Sequence, residues 1–128
     1  MKHPILTPMT TLLASLLLSA CAGPSVQESA AQRQALSALE QDYNAGHYQQ
    51  VAQTVGLSVE LQTAPPSIQV PALKLQAFSY CLLKNTVQCK RSFEKLLQRY
   101  PDFDLPEAER SHPMWGPVFK QAKEEAGT

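Results

Sequence analysis

The sequence predicts an all-α fold built from antiparallel helical hairpins, with a short helix closing the carboxyl end. Three observations carry this. Apolar residues recur at three- and four-residue steps along most of the chain. Gly, Pro and Asn punctuate that pattern at intervals suited to helices of moderate length. No period-two stretch of useful length competes with it. The 128 residues, 44% hydrophobic and 17% charged, leave room for one small domain. Eleven Lys and Arg balance eleven Asp and Glu without clustering. A nucleic-acid binder would need a basic face, so no nucleic-acid partner is expected.

The elements follow in order. Ala35, Leu36, Leu39 and Tyr43 mark a first helix from Ala30, and Ala45-Gly46 stops it. Tyr48, Val51, Ala52 and Val55 carry a second helix, ended by Gly56. Leu57 to Pro71 contains Pro65-Pro66 and reads as a loop, with a short extended piece at Ser58–Leu61. Pro71 suits the first turn of a third helix running to about Leu83, whose stripe is Leu73, Ala77, Tyr80 and Cys81. Lys84-Asn85-Thr86 makes a turn. A fourth helix then points Cys89, Phe93, Leu96 and Leu97 inward until Pro101. Asp102–Arg110 reads as an acidic connection, and Met114–Glu125 as a fifth helix carrying Trp115, Val118, Phe119 and Ala122.

Ahead of this domain lies a targeting pattern. Met1-Lys2-His3 is a short positive start, Leu12–Leu18 an apolar run, and Ser19-Ala20 a pair of small residues. This is the layout of a secretory signal peptide over residues 1–20. Leu18-Ser19-Ala20-Cys21 resembles the bacterial lipobox. The resemblance implies cleavage before Cys21, a diacylated thiol and an acylated amino terminus, with palmitate among the expected chains. Ala22, where inner-membrane lipoproteins tend to carry Asp, implies sorting to the outer membrane of a Gram-negative cell, facing the periplasm. Each buried acyl CH₂ contributes about 0.8 kcal/mol, so two or three chains hold a protein firmly. Residues 21–29 then form a lipid-anchored tether, and residues 30–125 the helical domain.

Leu73-x2-Gln76-Ala77-x2-Tyr80, then Cys89-x3-Phe93 and Pro101, follow the spacing of a tetratricopeptide repeat. Ala77 and Cys89 are small enough for two helices to approach closely, with Tyr80 and Phe93 filling the space beside them. Asn44-Ala45-Gly46-His47-Tyr48-x2-Val51 resembles the turn of an earlier unit, although Val51 and Gln76 depart from the usual residues. Two units are few for such a stack, so the last helix is expected to cap it, with Trp115 and Phe119 over the second pair.

A narrower resemblance joins Phe78-Ser79-Tyr80-Cys81, Cys89–Phe93, Pro101–Glu109 and His112-Pro113-Met114-Trp115-Gly116-Pro117-Val118-Phe119. These segments are similar to the TssQ family, small lipoproteins associated with type VI secretion systems. The resemblance implies a non-enzymatic accessory role near an envelope-spanning complex.

Candidate chemistry is sparse. Cys81 and Cys89 lie equally far either side of Asn85, at matching heights on two antiparallel helices, where a disulfide is geometrically feasible. Two packed thiols are the alternative. The eight-residue step is not the Cys-x-x-Cys of a redox catalyst. His47 and His112 have no neighbouring ligand cluster, so no metal or cofactor is expected. Asp102, Asp104, Glu107 and Glu109 read as acids favouring a helix start. Lys90, Arg91, Lys95 and Arg99 stripe the fourth helix, a solvated face or a docking surface for an acidic partner or lipid head groups. No enzymatic constellation is expected.

The resulting expectation is an outer-membrane lipoprotein that scaffolds a secretion machine by holding a protein partner. Its candidate contact residues are Arg91, Arg99, His112, Trp115 and Phe119. A pilotin-like assembly factor is the rival role, and a carrier or enzyme with a site in Leu57–Pro71 the more distant one.

Overall fold

A computed structural model describes residues 2–5 and 27–127; Cys21 and most of the signal-like segment lie outside the described residues. The domain is all-α, with no strand among the described residues. α1 spans Ala30–Asn44, α2 Tyr48–Leu57, α3 Val59–Gln62, α4 Pro66–Leu82, α5 Thr86–Arg99, α6 Glu107–Arg110 and α7 Gly116–Ala126. α1 pairs with α2, and α4 with α5; α4 also packs on α1 and α2, and α7 on α5. No described helix is long and apolar enough to cross a membrane.

Local chemistry explains the boundaries. Ser29 caps α1 by accepting from the Gln32 N–H, while the Gln32 side chain accepts from the Ser29 N–H in return. Gly46 turns the chain with a φ of +82°, a conformation glycine adopts without steric cost. The Asn85 side chain caps α5 through the Gln88 N–H, and Lys84 before it takes a φ of +59°. This places the second tight turn where the sequence predicts it.

Three expectations need correction. The stretch read as loop with an extended piece folds into α3, because Ser58 accepts from the Leu61 N–H and starts a helical turn. Leu57, Val59 and Leu61 alternate in sequence as a strand would, yet Leu61 alone of the three is buried. Pro71 does not open the third helix. Pro66 does, directly after Pro65, and Pro71 lies inside α4. A proline there leaves the carbonyl four residues back unpaired; that residue is the exposed Ser67, where water can serve. The acidic connection contains α6, and α7 starts at Gly116 rather than Met114.

The core runs continuously from Leu39, Val51 and Val55 through Leu73 and Phe78 to Phe93, Leu96 and Phe119. Ala77, Cys89 and Phe93, the small and aromatic positions of the repeat-like spacing, are fully buried. Cys81 and Cys89 are joined in a disulfide across the α4–α5 turn, with Cα atoms 5.1 Å apart. As expected of a cap, α7 lays Phe119 edge-on against Phe93 at 5.1 Å, while Trp115 stacks on Phe78.

Two buried amides tie the hairpins together. Gln76 donates to the Ala52 carbonyl of α2 at 2.9 Å. Gln69 donates to the carbonyls of Leu61 and Gln62 and accepts from the Tyr100 hydroxyl, so α3, α4 and the end of α5 share one side chain.

Candidate functional site

The segment after α5 is fixed residue by residue. The Phe103 N–H bonds the Tyr100 carbonyl, and Leu105, 2% exposed, pins the connection to the core. The Pro106 carbonyl accepts from the N–H groups of Glu109 and Arg110, winding α6. The His112 carbonyl then accepts from Gly116, and the Trp115 carbonyl from Phe119, which leads directly into α7. Gly116 is required by a close approach: a Cβ there would collide with the backbone carbonyl of Arg110. Pro117, in the first turn of α7, sacrifices no helical hydrogen bond.

A ladder of rings stands on this scaffold. The His112 ring lies 3.5 Å from Trp115 and parallel to within 3°. On its other face Trp115 stacks on Phe78 at 4.0 Å, and the Lys74 ammonium sits 5.6 Å from the Phe78 centroid. The indole N–H donates to the Glu109 carbonyl at 2.9 Å, and the Glu109 carboxylate takes two hydrogen bonds from Lys74. The Met114 N–H donates to His112 Nδ1 at 3.2 Å, which fixes the ring's orientation. The rings therefore have defined positions from α4 outward to the surface.

Beside this ladder is a cleft of about 640 Å³, walled by His112, Pro113, Gly116, Pro117 and Phe119, with Arg110, Lys120 and Lys123 at its charged edge. Asp104 faces Lys123 at 2.9 Å and Arg110 at 3.5 Å. The Lys123 ammonium is the main cause holding the Asp104 carboxyl below the usual carboxylate range; the Leu105 N–H and Arg110 add to it, against opposing desolvation. At the far end of α7, Lys90 reaches Glu125 at 2.6 Å and Glu94 at 3.6 Å. Its hydrogen bond to Glu125 raises the Lys90 pKa and lowers that of Glu125.

The candidate contact residues thus fall into two groups that the structure does not bring together. His112, half-buried, and Phe119 line the cleft, whereas the exposed Arg91 and Arg99 do not. Trp115 is 8% exposed and Phe119 2%, so these two support the cleft wall from the core and offer little surface of their own. The basic stripe also divides. Lys90 is engaged with Glu94 and Glu125, while Arg91, Lys95 and Arg99 stand exposed without an ion pair among the described residues. Glu107 and Glu109 sit in the first turn of α6, at a helix start as expected, while Asp104 pairs with Lys123 and Arg110, and Glu109 also with Lys74. His47 Nδ1 meets Asp42 at 3.2 Å at the first turn. No group of three or more His, Cys, Asp or Glu among the described residues could hold a metal.

Sequence reading missed Arg110, Lys120 and Lys123 at the cleft. Their signal was available in part, since Lys120 and Lys123 are three apart on one helical face. Arg110 reaches the cleft only through the chain reversal at Ser111–Trp115, which no periodicity encodes. No family model, curated protein or solved structure matches the chain.

Proposed function

We propose that this chain is an outer-membrane lipoprotein, a non-enzymatic accessory or scaffold component of a type VI secretion system that holds a protein partner in the cleft beside His112. One observation carries the reading. The His-Pro-x-Trp-Gly-Pro-x-Phe string, the most distinctive element of the TssQ resemblance, is also what builds the ring ladder and the cleft wall. A rigid, partly apolar cleft rimmed by charge suits an extended peptide segment, because its walls are ordered before the partner arrives. The lipobox-like Leu18–Cys21 supplies the membrane address. Anchoring then raises effective concentration, so a modest contact suffices.

The test is a photoreactive residue at Lys120, an exposed position on the rim, introduced into the full chain in living cells. The expected result is capture of an envelope component of the secretion machine, lost on the Cys21→Ser change. Secretion that proceeds unchanged with Cys21→Ser, together with no capture at Lys120, refutes the proposal.

A further inference from the structure

One end of the helical domain gathers features that the cleft does not use. The chain enters there, with Gln27 and Glu28 alongside Arg33 of α1 and Ser67 of α4. α2 also finishes there, and α3 packs on α1. The Tyr100–Gln69–Leu61 hydrogen-bond chain brings the end of α5 to the same level. Leu57 and Val59 project from this end, 82% and 69% exposed. They flank Ser58, whose hydroxyl caps α3, so a fixed helix junction presents both side chains. Charges of both signs lie around it, Arg33 and Arg99 with Glu28, Glu60 and Asp102, so no basic excess marks this end.

We infer that this Leu57–Val59 shoulder rests on the bilayer to which acylated Cys21 is attached, its two side chains entering the headgroup–acyl boundary. This rests on the lipoprotein reading above. The length of the tether argues for it. Six residue steps separate Cys21 from Gln27, and a chain spans at most about 3.6 Å per residue, so this end stays within about 20 Å of the lipid surface. The opposite end, bearing Leu83 and Val87, lies farther off by the length of α4, about 25 Å for its 17 residues. Mixed charge without a basic excess suits a largely zwitterionic headgroup layer. With the acyl chains already holding the protein, a weak apolar contact is enough to select an orientation. The cleft is then presented in a fixed direction.

The experiment uses the full acylated chain in vesicles of phosphatidylethanolamine and phosphatidylglycerol. Environment-sensitive probes are placed one at a time through Leu57→Cys, Val59→Cys and Val87→Cys, with Cys81 and Cys89 oxidised. Nitroxide-bearing lipids report proximity. Probes at positions 57 and 59 are expected to be quenched and blue-shifted, while position 87 stays aqueous. Adding Val59→Ser should lower the docked-to-free ratio read at position 57 by about tenfold, from the apolar area lost. A protein that floats with the vesicles but leaves positions 57 and 59 as aqueous as 87 overturns this inference and spares the lipoprotein reading. Protection at 57 and 59 that requires an added envelope protein also overturns it. Failure to float overturns the lipoprotein reading and this inference with it.

Discussion

Gln69 offers the sharpest test of how the hairpins are held together. Its side chain is 2% exposed, and all its polar atoms are engaged: Nε2 with the Leu61 and Gln62 carbonyls, at 3.3 and 2.7 Å, and Oε1 with the Tyr100 hydroxyl. Gln69→Leu keeps nearly the same volume, so any loss is polar rather than steric. Each buried group left without a partner costs about 1–3 kcal/mol. Two carbonyls lose their donor, while the Tyr100 hydroxyl, on a half-buried residue, can turn to water. The expected destabilisation is therefore about 2–4 kcal/mol, a large part of the 5–15 kcal/mol typical of a domain. Tyr100→Phe alone orphans one acceptor and should cost about 1–2 kcal/mol. The double variant should fall short of the sum by about 1 kcal/mol, because the two share a bond. Urea unfolding of the Cys21→Ser chain, followed through the emission of Trp115, measures all three. A Gln69→Leu variant within about 0.5 kcal/mol of the parent, or strict additivity, would refute the assignment of this amide as a staple.

Replacing Cys81 and Cys89 with Ala should cost about 2.5 kcal/mol on the chain-entropy model, and adding reductant to the parent should reproduce that loss. Equal denaturation midpoints for oxidised and reduced protein would contradict it. Tyr43, half-buried at the α1–α2 turn and 5.4 Å from Tyr48, has its pKa raised to about 12, by burial first and by nearby Tyr48 and Glu109 next. The folded form thus holds this proton more tightly than the unfolded chain does, so the contribution is complete below pH 10 or so and fades as pH rises from about 10 to about 12. Tyrosinate absorbance should show a component titrating near pH 12 that is absent in Tyr43→Phe. Gly116→Ala must push the Arg110 carbonyl aside; a loss of about 1–3 kcal/mol and a disturbed His112–Trp115 stack, seen as a changed near-ultraviolet dichroism signal, are expected.

How much of this was legible in the residues depends on the kind of interaction. α1, α2, α4 and α5 announce themselves through three- and four-residue apolar steps, because burial of one helical face is a local, periodic demand. The turns at Gly46 and Asn85 were readable for local reasons: a left-handed backbone selects Gly46, and the cap of α5 selects the Asn85 side chain. α3 was hidden because the alternation of Leu57, Val59 and Leu61 imitates a strand, and only the Ser58 cap and the packing of Leu61 decide otherwise. Pro71 misled because a proline's preference for the first turn is statistical, whereas an exposed carbonyl four residues back makes the interior tolerable.

At the cleft, the importance of His112, Trp115 and Phe119 was visible in their clustering, but their division of labour was not. Which ring faces water is set by the path from Pro106 to Gly116 and by the Lys74–Glu109 bond, both of which join distant parts of the chain. The exposed stripe of Arg91, Lys95 and Arg99 became distinct from Lys90 only once Glu125 had been brought over by α7.

Among its 15 residues α1 fully buries Leu39 alone, whereas α4 and α5 are clamped by a covalent link and by most of the aromatic core. The molecule is therefore graded in mechanical strength along its length. Tension applied from the amino-terminal side would load this shallowly buried helix before it reached the disulfide-linked α4–α5 pair.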